Sequence, residues 1–165
     1  MLNKINEKMP IQFEKNIQKI ISTDTATLVI FDPACLLHRL TQESDWWSIA
    51  SEELAELNAA NAVFLNLGSD GNYEVHVETS SISEAAKDKI LLNNISGRFF
   101  IGAAEDVTGG DLEPSEEYGG FFIDAPPHIY GLTATRTAPS SIQLSLTIVS
   151  PPTTCANRFK QLIRL

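Results

Sequence analysis

Residues 119–136 read GGFFIDAPPHIYGLTATR. Phe121, Phe122 and Ile123 form a short apolar block. Asp124 to His128 supply turn chemistry, with Pro126 and Pro127 side by side. After the turn, Ile129, Gly131, Thr133 and Thr135 alternate with Tyr130, Leu132, Ala134 and Arg136. Alternation of this length is a strand signal, because successive side chains point to opposite faces. Two strands separated by about five turn residues predict an antiparallel hairpin. Neither proline falls inside a strand pattern, so the ladder loses no donor to them. The hairpin is expected to form the centre of a sheet against which the rest packs.

Working outward, residues 141–149 (SIQLSLTIV) alternate as a strand, and Pro151 and Pro152 end it. Residues 156–165 read as a short basic helical tail. Upstream, residues 87–95 and 98–103 (RFFIGA) predict another hairpin across Ser96-Gly97. Residues 62–67 (AVFLNL) and 72–78 (NYEVHVE) are two strands joined by Gly68-Ser69-Asp70-Gly71, where a tight turn needs the positive φ that Gly supplies. In the second of these, Tyr73, Val75 and Val77 face one way and Glu74, His76 and Glu78 the other, which describes a sheet with one wet face. Residues 25–31 (TATLVIF) are β-branched and strand-forming.

Residues 45–58 predict the one firm helix. Ser44 or Asp45 suits its start, and Trp46, Ala50, Leu54 and Leu57 fall on one face, with Glu52, Glu53 and Glu56 elsewhere. The apolar residues of 1–22 are loosely helical in spacing and Pro10 interrupts them, so they read as a frayed leader and then a short helix or strand that covers the core. The expectation is a mainly β protein: an antiparallel β-sandwich of about eight strands with one flanking helix. Residues 1–22 are its leader and covering segment, 23–150 the domain, and 151–165 a short tail.

The chain has 165 residues, enough for one domain with a core of its own. Twelve Lys and Arg against 21 Asp and Glu leave a formal charge of −9. Such a surface repels nucleic acid and anionic membrane and attracts basic partners. Basic residues are dispersed, with no aromatic-interleaved stripe for nucleic acid. Cys35 and Cys155, the only cysteines, make neither a disulfide framework nor a zinc site; two thiols in a reducing compartment is the first reading and a single bridge the other. With no secretory signal pattern and no window of membrane-spanning length, the expected location is the cytoplasm.

The segment EDVTGGDLEPSEE, residues 105–117, holds six carboxylates and no Lys or Arg. Three readings compete for Glu105, Asp106, Asp111, Glu113, Glu116 and Glu117: a solvated loop, a docking surface for a basic protein, and a Ca²⁺ site. The spacing does not match an EF-hand loop, which disfavours the metal. Charge complementarity of this kind speeds encounter and fixes orientation. Of the adjacent Trp46 and Trp47, one is expected in the core and the other near the surface; Asp45 and Trp46 together make an outlying anchor. His38, His76 and His128 form no HxH or HExxH pattern, and no GxSxG, Walker or dinucleotide fingerprint occurs. No enzyme activity, cofactor or metal is expected.

The succession 87–95, 98–103 and 120–136 resembles the second half of the competence-associated nuclease inhibitor family of bacteria. Phe121, Ile123, Pro126 or Pro127, Tyr130 and Leu132 approximate that family's phrase F-x-[ILV]-x-x-P-x-x-[YF]-x-[LV]. The whole chain also resembles the small acidic immunity proteins found beside bacterial toxins. The resemblance implies a cytoplasmic immunity protein or inhibitor that occludes the active site of a cognate toxin, plausibly a basic nuclease. The rival expectation is a small-ligand or carbohydrate-binding sandwich module, with Trp47, Tyr73 and Tyr118 lining a groove.

Overall fold

The computed structural model describes residues 14–42, 44–84, 87–107, 114–149 and 155–165. Within them run β1 (Glu14–Thr23), β2 (Thr27–Phe31), α1 (Ala50–Asn58), β3 (Ala62–Asn66), β4 (Gly71–Glu84), β5 (Ile90–Asn93), β6 (Arg98–Ala103), β7 (Phe121–Asp124), β8 (Ile129–Ala138) and β9 (Ser141–Val149). The strands form two packed sheets, a β-sandwich with a flanking helix. One sheet has five strands in the order β1-β4-β9-β8-β5; the other has four in the order β3-β2-β6-β7. The neighbours pair antiparallel except β4 and β9, which run parallel.

The reading of residues 119–136 as a hairpin is corrected. β7 pairs with β6 in the four-stranded sheet, while β8 lies between β5 and β9 in the five-stranded one. Residues 125–128 therefore arch from one sheet to the other. The connections β3–β4 and β5–β6 do the same, where a tight turn and a hairpin were expected. Turn residues reverse the chain in either case. What differs is the gap: paired strands lie about 4.8 Å apart, packed sheets about 10 Å. A turn stiffened by two prolines spans the larger gap. The tight hairpin of this region is β8–β9, closed by Pro139 and Ser140 between Ala138 and Ser141.

The four-stranded sheet is buried on both faces, which explains its near-continuous apolar strands. Leu28, Ile30, Val63, Leu65, Phe99 and Ile101 face the other sheet. Val29, Phe31, Phe64 and Phe100 face a second layer carrying Leu36, Trp46 and Trp47. In the five-stranded sheet Tyr73, Val75 and Val77 are buried and Glu74 and His76 point outward, as the alternation implied.

Both tryptophans are buried, 2% and 7% exposed, against the expectation of one near the surface. Residues 46–48 form a 3₁₀ turn ahead of α1, so the two rings are not locked into one helical wheel. Trp46 meets Phe64 edge-on at 5.8 Å and lies under the Arg39 guanidinium at 4.4 Å. On α1 Glu53, Glu56 and Leu57 are buried, while Ile49, the residue just ahead of it, is exposed. Each buried glutamate has a partner: Asn66 for Glu53, and His38, Arg39 and Asn61 for Glu56.

The tail is extended where a helix was expected. Asn157 accepts from Leu91 N and donates to Leu57 O and Leu91 O. Asn58 brackets Phe159, and Asn66 N donates to Ile163 O while Leu165 N donates to Asn66 O. These bonds draw residues 155–165 along β3 and β5, outer strands of the two sheets. Phe159, Ile163 and Leu165 pack on the core.

Candidate partner-binding surface

The end of the sandwich where β1 stops and β4 starts gathers acidic turns. Thr23 pairs with Gly71, so Asp24 and Asp70 each sit one residue beyond a paired position. Glu105 follows β6 in a 3₁₀ turn and reaches across to the β1–β2 turn. Its carboxylate accepts from Asp24 N at 2.8 Å, Thr25 Oγ1 at 2.7 Å and Thr23 Oγ1 at 3.2 Å. Glu105 thus fixes one acidic turn against another. Asp106 beside it is half-buried, and among the described residues its Oδ2 has no hydrogen-bond partner. Burial, with the Glu105 charge adding to it, pushes Asp106 up to about 6.

Glu116 and Glu117 open a 3₁₀ turn capped by Ser115 and closed by Gly119 at φ +95°. The turn delivers the chain to Phe121, which pairs with Ile101 near the end of β6. Both glutamates are exposed, and Glu116 accepts from Phe122 N at 2.9 Å. The fold thereby brings Glu105, Asp106, Glu116 and Glu117 to one end with Asp24 and Asp70. Asp111 and Glu113 lie outside the described residues. Asp45 is exposed but stands ahead of the Trp46 turn, on the layer over the four-stranded sheet. Trp46, expected as an anchor, has its ring in the core. Asp24 and Asp70 were missed because each is a lone acid in a turn; only the β1–β4 register joins them.

The carbohydrate reading loses its groove. Trp47 and Tyr73 are buried at 7% and 3% exposure, leaving Tyr118 alone at the surface.

Three histidines were candidates for chemistry. His76 pairs with Glu74 at 2.6 Å on the wet sheet face, and His128 is exposed in the β7–β8 arch. His38 is the one that meets a buried acid, with Nε2 2.6 Å from Glu56 Oε1. Arg39 Nε shares that oxygen at 2.7 Å, and Asn61 Nδ2 donates to Oε2 at 2.9 Å. Cys35 lies one 3₁₀ turn from His38, in Pro33–Arg39. Burial, aided by the Asp32 charge, pushes its thiol up to about 12, the opposite of what a nucleophile needs. Cys35 and Cys155 are free thiols. Among the described residues, no group of three or more His, Cys, Asp or Glu is arranged to hold a metal, and no helix is long and apolar enough to cross a membrane.

Comparison with known proteins bears on the fold. No curated protein matches the chain. The solved structure titled "Crocagin biosynthetic gene J" superposes with a TM-score of 0.51 at 14% identity, covering 83% of this chain and 97% of that one. The structure of ComJ from Bacillus subtilis, titled an inhibitor of the DNA-degrading activity of NucA, gives a TM-score of 0.48 at 13% identity, covering 84% and 99%. At 14% identity, the likeness to the first of these is one of fold. A family model covers nearly the whole chain, and over residues 15–165 this protein belongs to the family of unknown function DUF6386.

Proposed function

We propose that this protein is an inhibitor of the immunity type, which binds a basic toxin of the nuclease class and covers its active site. The observation that carries the reading is the gathering of Asp24, Asp70, Glu105, Asp106, Glu116 and Glu117 at one end of a rigid sandwich. Acids on separate turns, held by sheet register, offer a preset pattern of charge. Such a pattern raises the encounter rate with a cationic partner and costs little ordering entropy on binding. The resemblance of residues 87–136 to nuclease inhibitors points to a nuclease as that partner. The protein acts by occupancy and makes no bonds of its own; its buried thiol and its glutamate-held histidine suit a structural role.

Neutralising four exposed or turn acids, Asp24→Asn, Asp70→Asn, Glu116→Gln and Glu117→Gln, tests the reading. Glu105 is left in place because it braces the fold. Association with the co-purified cognate nuclease should slow by about tenfold or more at low salt, with the dissociation rate far less changed. An unaltered association rate, in a variant that melts like the parent, would remove this end from the interface.

A further inference from the structure

On the flank of the sandwich a groove of about 710 Å³ runs between the first turn of α1 and residues 160–164. Leu54 and Leu162 give it an apolar floor, Ser51 and Gln161 line it with polar groups, and Lys160 and Arg164 stand on its tail side. The tail turns Asn157, Phe159, Ile163 and Leu165 toward the sandwich through their backbone bonds. That alternation leaves Lys160 and Arg164 exposed.

The charges here run against the rest of the molecule. On a chain of formal charge −9, Arg158, Lys160 and Arg164 fall within seven residues. Other cations of the fold are engaged: Lys15 with Asp124, Arg39 with Glu52 and Glu56, Arg136 with Leu67 O. Among the described residues, no ion pair engages Lys160 or Arg164. Ile49, next to Ala50 of the groove wall, is 51% exposed, which extends the apolar surface beyond the groove.

We propose that this groove binds an acidic peptide segment of a partner protein, with an aliphatic side chain on the Leu54–Leu162 floor and carboxylates against Lys160 and Arg164. The volume suits several residues of an extended chain and far exceeds a single small anion. A basic segment would meet two like charges, and a neutral one would leave both cations unmatched. The groove shares no residue with the acidic end, so the proposal stands or falls apart from the inhibitor reading.

The probe is a fluorescein-labelled peptide alternating glutamate and leucine, titrated into the full chain by fluorescence anisotropy. Saturable binding is expected, weakening as ionic strength rises from about 0.02 to about 0.3 M. The variant Lys160→Glu with Arg164→Glu should weaken it about tenfold or more. Backbone amide shifts of Ser51, Gln161 and Leu162 in the parent protein give a second readout that needs no variant. The proposal is overturned by a dissociation constant weaker than about 1 mM with no shift at those amides. It is equally overturned if a lysine–leucine peptide binds as well, or if inorganic phosphate displaces the probe at matching concentration and so marks a small-anion pocket.

Discussion

The phenol of Tyr130 donates to the backbone carbonyl of Pro126 at 2.7 Å, four residues back across the β7–β8 arch. Tyr73 repeats the bond to Ser69 O at 2.6 Å across the β3–β4 connection. Both rings are buried, and Tyr130 meets Phe99 edge-on at 5.2 Å. Each tyrosine ties the turn it follows to the core of the sheet it enters, the arrangement known from other sandwiches as a tyrosine corner. Among the described strands four connections pass from sheet to sheet, and two of them are therefore latched in the same way.

Tyr130→Phe should cost about 1–2 kcal/mol, since it leaves a carbonyl without its donor. Burial also pushes the Tyr130 phenol up to about 12. Its folded pKa lies above the unfolded value near 10, so its contribution is intact below pH 10 and falls as pH rises toward 12. The loss is on the order of 2 kcal/mol. Urea melts of parent and variant from pH 8 to about 11.5 check this; parallel curves across that range would count against it.

Asp32 is fully buried, and among the described residues no ion pair engages it. Its carboxylate instead accepts from Ala34 N, Ile95 N, Ser96 N and Ser96 Oγ at 2.6–2.9 Å. It thereby pins the β5–β6 arch to the 3₁₀ segment Pro33–Arg39. Asp32→Ala should destabilise by about 3 kcal/mol or more, leaving four donors without acceptors. Asp32→Asn should be nearly as harmful, because its amide nitrogen faces donors on either side. A denaturant midpoint for the Asn variant close to that of the parent would show that the charge and second oxygen are dispensable.

Asp106 carries the opposite sign. With a folded pKa of about 6 against an unfolded value near 3.8, its ionisation weakens the fold as pH rises from 4 to 6. Asp106→Asn should therefore stabilise at pH 7.5, by about 1 kcal/mol after allowing for solvent screening of a half-buried group. It should change little at pH 4. Thermal melts at the two pH values make the comparison, and equal shifts at both would refute the assignment.

Glu56 sits between. Burial alone raises a carboxyl pKa, but hydrogen bonds from Asn61, His38 and Arg39 outweigh it, and the net displacement is downward. The contribution of the network is thus present at neutral pH and is lost as pH falls through the folded pKa. Glu56→Gln should cost about 2–3 kcal/mol near pH 7 and much less near pH 3. If the cost were the same at both, packing and not charge would explain it.

The sandwich was legible because its two sheets write different patterns. Asn72 to Glu78 alternates, since one face of β4 is wet; β2 and β6 run apolar throughout, since both their faces are covered. Sheet membership was not legible. Asp124 to His128 and Gly68 to Gly71 have good turn chemistry, which fixes a reversal and leaves the partner strand open. The tyrosine four residues after each turn carbonyl was the available clue. The acids of residues 105–117 were legible as a group, but Asp24 and Asp70 join them only through pairing of strands about 50 residues apart. Glu53 and Glu56 were placed only away from the apolar face; their burial was not legible because their partners, Asn66, Asn61, His38 and Arg39, lie on other elements.

The placement of residues 155–165 has a consequence for biosynthesis. They are translated after the nine described strands, yet they supply bonds that cover the outer margins of β3 and β5. Until the ribosome releases them, a nascent sandwich presents two bare strand margins to its neighbours on the polysome, and pairing there would be with the wrong chain. A fusion or tag that hinders residues 155–165 from docking should therefore lower the yield of correctly assembled protein before it lowers any binding.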